Sequence, residues 1–163
     1  MTDTAFHTVF GSLDGYRKGE IEITSGQASH YVFSNVFEVA ANAAPYEKIV
    51  VGKNLEYVIE TLRTDGRSPW FACSHDEFVI LMDGEVRIDF IKLDTPPQNT
   101  AGTVLADNPA GRAMGHVVLR RGHQALLPAG CAYRFSAEKP GVALVQTLFG
   151  ALSVEKWADI CLH

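Results

Sequence analysis

The stretch from Trp70 to Lys92, WFACSHDEFVILMDGEVRIDFIK, constrains this chain more than any other. Val86, Ile88 and Phe90 alternate with Glu85, Arg87 and Asp89, the period of a strand with one wet face. Before it, Phe78 to Met82 is a nearly unbroken apolar run, which suits a strand covered on both faces. Asp83-Gly84 lies between them and supplies the positive φ of a tight two-residue turn. The expectation is a β-hairpin, with Trp70 at the edge of its first strand and Glu77 just ahead of the apolar run.

A second stretch, GHQALLPAGCAYRF from Gly122 to Phe135, reads as a strand, a reversal at Pro128-Ala129-Gly130 and a resumed strand through Tyr133. Proline presets φ for the first corner and glycine accepts the left-handed one. Glu77 stands seven residues before Gly84, and Gly122 is followed after five residues by Pro128-x-Gly130. These two frames resemble the paired motifs of the cupin superfamily, small antiparallel β-barrels of jelly-roll type that often hold a metal. The resemblance implies ligands six and four residues before the glutamate and three after the second glycine, where this chain has Phe71, Cys73 and Tyr133. Only Glu77 survives of the usual four. Phenylalanine cannot ligate and a neutral tyrosine is a poor ligand, whereas an iron oxygenase typically needs two imidazoles and a carboxylate. The expectation is a chain with no metal of its own, its barrel mouth filled by side chains. Cys73, His75 and Glu77 share a strand face by period and form an alternative, makeshift site.

Composition narrows the function classes. The chain has 163 residues, one domain by size, and a formal charge of −5. It has no basic run to attract nucleic acid or an anionic membrane surface, and no apolar stretch of membrane-spanning length. The N-terminus lacks the basic start and apolar middle of a secretion signal, so a cytoplasmic protein is expected. Cys73, Cys131 and Cys161 are odd in number, widely spaced and without CxxC, and read as reduced thiols, the first two at the barrel mouth.

In chain order, Phe6, Val9, Phe10 and Leu13 carry the stripe of a short helix that must bury itself on its own barrel or on another chain. Residues 1–19 form this arm, 20–150 the barrel and 151–163 a C-terminal helix or tail. Strands are expected over Ile21 to Thr24 and Tyr31 to Val39, with His30 facing water. Lys48 to Arg63 reads as two more, broken at Gly52. Asp65 to Pro69 and the Pro- and Gly-rich segment Asp94 to Gly115 read as loops, the second long enough to cover a neighbouring surface. A last strand is expected over Val142 to Phe149 after a turn at Glu138 to Gly141, and a helix capped by Ser153. His116 and His123 are seven apart and fall on opposite faces of any continuous strand. No nucleophile elbow, P-loop, dinucleotide fingerprint or zinc-protease helix is present in the sequence.

The wording LDGYRKGEIEI, HYVFSNVFEVA, PYEKIVVGKNLEYVIE and SPWFACSHDEFVILMDGEVRIDFIKLD resembles the small subunit of the two-component hydroquinone 1,2-dioxygenases over most of the chain. These bacterial enzymes belong to the breakdown of 4-nitrophenol and related phenols. The resemblance implies an α2β2 heterotetramer whose larger cupin subunit carries the Fe(II) and opens hydroquinone with O2 to 4-hydroxymuconic semialdehyde. It also implies that Trp70 lines the substrate pocket of that partner, a rigid ring with one N–H to donate. Phe71, Cys73, His75, Glu77, Tyr133 and Arg134 are then a degenerate motif or interface. The competing reading is a free-standing, metal-free cupin that binds a small ligand or serves as a structural module, and in that reading Trp70 is core.

Overall fold

The computed structural model describes residues 35–160. The expected N-terminal helix, the strand over residues 21–24, His30 and Cys161 lie outside the described residues. The described chain is mainly β: a ten-stranded, almost wholly antiparallel sheet curled on itself, with two short helices. Its axis is β9 (Cys131–Leu148), eighteen residues long. One edge of β9 carries β2 (Tyr57–Arg67) and β3 (Phe71–Ala72), and the other carries β4 (Glu77–Asp83) and β5 (Glu85–Leu93). Outside these lie β1 (Lys48–Asn54) on β2, β6 (Val104–Leu105) on β3, β7 (Gly111–Arg120) on β5 and β8 (Gln124–Leu127) on β4. The short β10 (Ser153–Val154) runs parallel to β1.

Asp83-Gly84 does not make the expected hairpin. β4 pairs with the second half of β9 and β5 with the first half, so the two follow one line and Gly84 bends it. Gly84 has φ of 83°, and a Cβ there would stand 3.1 Å from Cα of Gly141. A Cβ on Gly141 would in turn meet the Asp83 carbonyl oxygen at 2.5 Å. Two glycines back to back let long strands bend sharply enough to face themselves. The expected turn at residues 138–141 lies within β9, at an irregularity where the register with β2 shifts between Gly141, opposite Thr64, and Ala137, opposite Gly66.

Other boundaries moved. Residues 36–39, expected as strand, begin helix α1 (Val36–Ala41), because the Asn35 side chain accepts from the backbone N–H of Phe37 and Glu38 and caps it. Gly52 marks a bulge, and the reversal between β1 and β2 falls at Leu55-Glu56, with Leu55 at φ of 57°. β2 runs on to Arg67 where a loop was expected, and the long loop is shortened by β6 and by β7 beginning at Gly111. His116 lies on β7, whereas His123 sits in the turn that follows it, so the two share no strand. Ser153 is in β10 and caps no helix; the last helix is α2 (Trp157–Ile160).

The core lies between the facing halves of the curled sheet: Leu62, Val79, Leu81, Ile88, Leu127, Tyr133, Phe135 and Val145 are buried in one cluster. Each such side chain contributes about 1.5–3 kcal/mol by leaving water. Among the described residues no helix is long and apolar enough to cross a membrane.

Candidate functional site

The two sequence motifs meet inside the barrel. β3 ends at Ala72, and residues 73–76 swing across to β4, carrying Cys73, His75 and Glu77 into the interior. Two clasps hold that swing against the second motif: Asp76 accepts from the Ala129 N–H at 2.8 Å, and the Gly130 N–H donates to the Cys73 carbonyl at 3.2 Å. Gly130 has φ of 70°, the left-handed corner expected of the Pro-x-Gly turn. A third tie comes from the long connection, where Ser74 and Thr100 exchange backbone N–H and side-chain hydroxyl bonds.

Glu77 is fully buried. Tyr133 donates its hydroxyl to Oε2 at 2.7 Å and Thr103 donates to Oε1 at 2.5 Å, so hydroxyls occupy both carboxylate oxygens. Burial and the neighbouring Glu77 push the Tyr133 phenol well above its usual range. Beside them Cys73 Sγ lies 3.0 Å from Nδ1 and 3.3 Å from Nε2 of His75, and the thiol donates to the Gly102 carbonyl at 3.2 Å. Burial, then Glu77, raises the Cys73 thiol, which keeps its proton at neutral pH. His75 Nε2 reaches Thr147 Oγ1 at 3.1 Å. Phe71 packs its ring at a tilt against Tyr133 and Phe135, centroids 5.8 and 6.4 Å away.

Cys73, Phe71, Tyr133 and Glu77 are therefore buried around one centre, whereas the buried Cys131 turns its thiol to Met114 of β7 at 3.5 Å, and both cysteines are free. Trp70 and Arg134 are not part of it. They alternate with Phe71 and Tyr133 and so look outward, half-buried, with Cζ of Arg134 lying 4.2 Å over the Trp70 ring. Burial and the nearby Arg67 lower the Arg134 pKa, and its Nε is buried without a hydrogen-bond partner.

Sequence reasoning missed Thr103, Thr100 and Thr147, which come from a loop and a strand far along the chain and carry no spacing signal. It also missed Lys48 and Glu60, a buried ion pair at 2.9 Å with Ser153 donating to the second Glu60 oxygen at 2.6 Å. Opposite charges on neighbouring strands were the available signal.

No protein-family profile matches the chain, and a search of curated proteins gives no match. Solved structures do. A chain of hydroquinone 1,2-dioxygenase PnpCD, in complex with Cd2+ and 4-hydroxybenzonitrile, is 62% identical, with 99% of this chain and 100% of that one covered at a TM-score of 0.93. A chain of hydroquinone 1,2-dioxygenase from Sphingomonas sp. TTNP3, with 4-hydroxybenzoate bound, is 53% identical over 97% and 98% of the two chains at 0.89. The chain belongs to the hydroquinone 1,2-dioxygenase family. A second chain type occurs in the same two enzymes. Its match to this dioxygenase chain has only 14% identity, TM-scores of 0.60 and 0.62, and covers 39% and 36% of that chain, so a longer chain there contains the same cupin fold.

One PnpCD structure is in complex with Fe3+, which raises the question whether this dioxygenase chain has donors for iron. Ligand atoms of Cys73, His75 and Glu77 all lie within 4.8 Å of one another. The chemistry of the set is nevertheless wrong. It offers one imidazole, a thiol and a carboxylate whose two oxygens already accept hydroxyl bonds, with a phenyl ring and a phenol at two of the cupin ligand positions. A non-haem Fe(II) site typically uses two imidazoles and a carboxylate with open positions, and these residues do not fit it.

Proposed function

We propose that this chain is the small, iron-free subunit of a hydroquinone 1,2-dioxygenase, working with a longer cupin chain that holds Fe(II). The observation that carries the reading is Glu77, the one cupin ligand retained, with both oxygens occupied by Tyr133 and Thr103 in a chain so close to one of PnpCD. The reaction proposed is ring opening of hydroquinone by O2 to 4-hydroxymuconic semialdehyde, within 4-nitrophenol catabolism in the cytoplasm, by an α2β2 heterotetramer. In it the partner's iron supplies oxygen activation.

This chain shapes the pocket. Trp70 is the residue proposed to reach the substrate: its outward ring, stiffened by the Arg134 guanidinium, offers a flat apolar wall to a flat phenol and one N–H to a hydroxyl. Excluding water beside an activated ring is the chemical gain of closing the pocket from a second chain. The test combines a metal count with a hydroquinone assay on this chain, on the longer chain and on both together. Activity should need both, with the iron found in the longer chain. Normal turnover by the longer chain alone, or stoichiometric iron held by this one, ends the proposal. In the assembled enzyme, Trp70→Ala should lower kcat/KM by about tenfold or more, the loss of one ordered pocket contact, with the iron content unchanged.

A further inference from the structure

The half of the sheet around Trp70 carries an unbalanced charge. Arg67 on β2 and Arg87 on β5 both stand opposite Ser136 of β9, one from each side, and Asp89 stands opposite Arg134, two residues earlier on β9. Tyr133 and Phe135, which alternate with Arg134 and Ser136, are buried, so these charged side chains share the outward face. Guanidiniums outnumber carboxylates there, in a chain whose formal charge is −5. The acids on neighbouring strand positions are already engaged: Arg87 takes Asp89 at 2.7 Å, Arg120 takes Glu85 at 2.7 Å and Arg63 takes Asp65 at 3.2 Å. Among the described residues nothing accepts a hydrogen bond from Arg67 or Arg134.

Arg134 is held by its plane and not by an anion. Its guanidinium lies over the Trp70 ring with Cζ at 4.2 Å, its Nε is buried without a partner, and burial together with the adjacent Arg67 lowers its pKa. Stacking uses the face of a guanidinium and leaves the N–H groups along its edge for an oxygen acceptor. Two neighbouring cations that repel each other are stabilised when an anion comes between them.

Resting on the function proposed above, we infer that Arg134 and Arg67 form a subsite for the far end of the phenol, selecting a negatively charged oxygen group para to the hydroxyl that meets the iron. A hydroquinone points its two hydroxyls in opposite directions, so the one away from the iron faces the wall this chain supplies. Trp70 has a single N–H to give that oxygen, and a phenolate or carboxylate accepts more than one. The arginines complete the set and add a preference for negative charge that tryptophan lacks. Trp70 packs against the ring, and Arg134, braced on Trp70, reads the substituent.

The experiment co-expresses this chain with the longer chain of PnpCD and follows hydroquinone turnover. Two inhibitors that differ in one group are compared, 4-hydroxybenzoate and 4-hydroxybenzonitrile, each the bound ligand of a related enzyme. Arg134→Gln and, separately, Arg67→Gln should weaken inhibition by the carboxylate by about tenfold or more, the loss of a hydrogen bond to a charged group, and inhibition by the nitrile by less than about threefold. Arg134→Lys should fall between the wild type and Arg134→Gln. In the wild type, raising the salt to about 0.5 M should weaken the carboxylate alone. An unchanged ratio of the two inhibition constants in both variants, or an equal loss for both phenols, overturns the subsite and leaves the function standing. If the variants no longer join the longer chain on a sizing column while the wild type does, the arginines hold a carboxylate of that chain and the inference is wrong. Absence of hydroquinone turnover by the wild-type assembly overturns the function itself.

Discussion

At the scale of single residues the chemistry turns on Tyr133. It occupies a ligand position of the cupin frame and donates its hydroxyl to one oxygen of the buried Glu77 carboxylate. Tyr133→Phe keeps the ring but leaves a buried carboxylate oxygen short of a donor, and urea unfolding should show a loss of about 1–3 kcal/mol. A pH dependence follows as well. Cys73 and Tyr133 both have folded pKa values raised above their reference values of 9.0 and 10.0, so each group's contribution to stability is intact below that value and is lost as pH rises through its folded pKa. Thermal unfolding measured from pH 8 upward should fall away in that alkaline window, and Tyr133→Phe should make the fall shallower. Phe71, Cys73, Glu77 and Tyr133 were legible because the cupin motifs fix them by count along the chain. Thr103 was not, since a loop residue that arrives through tertiary folding has no periodicity to find.

At the scale of elements, the strands themselves were readable and their pairing was not. Alternation over residues 85–90 and the apolar run before it located β5 and β4. Asp83-Gly84 supplies a positive φ that serves a hairpin and a bend equally, and the choice was made by β9, fifty residues away in sequence. Burial of charge misleads in a similar way. Tyr57 and Ile59 look outward while Glu60 is inside with Lys48, the reverse of what hydrophobicity alone assigns to β2. The bend itself can be tested by comparing two glycines. Gly122 has φ of 82° and open space around it, so Gly122→Ala should cost only the left-handed backbone term, roughly 1–2 kcal/mol. Gly141→Ala would drive a methyl to 2.5 Å from the Asp83 oxygen and 2.7 Å from Thr64 Oγ1, and should cost more, roughly 3 kcal/mol by chemical denaturation.

At the scale of the whole molecule, packing and hydroxyl bonds hold Phe71, Glu77 and Tyr133 together at the cupin ligand positions. Incubating this chain with a strong chelator, or with added Fe(II), should therefore leave its melting temperature within about 1 °C, since only a ligand bound to the folded state shifts it. A larger shift would mean that Cys73, His75 and Glu77 bind metal after all. The bends at Gly84 and Gly141 have a final consequence for how this molecule comes apart. β9 and the two lines of strand beside it each continue from one half of the fold into the other, so the halves are tied by three continuous stretches of chain. Hydrogen exchange should find a single cooperative block from Tyr57 to Leu148 that opens all at once. A partner or ligand bound at one end of such a block stabilises its far end against opening as well.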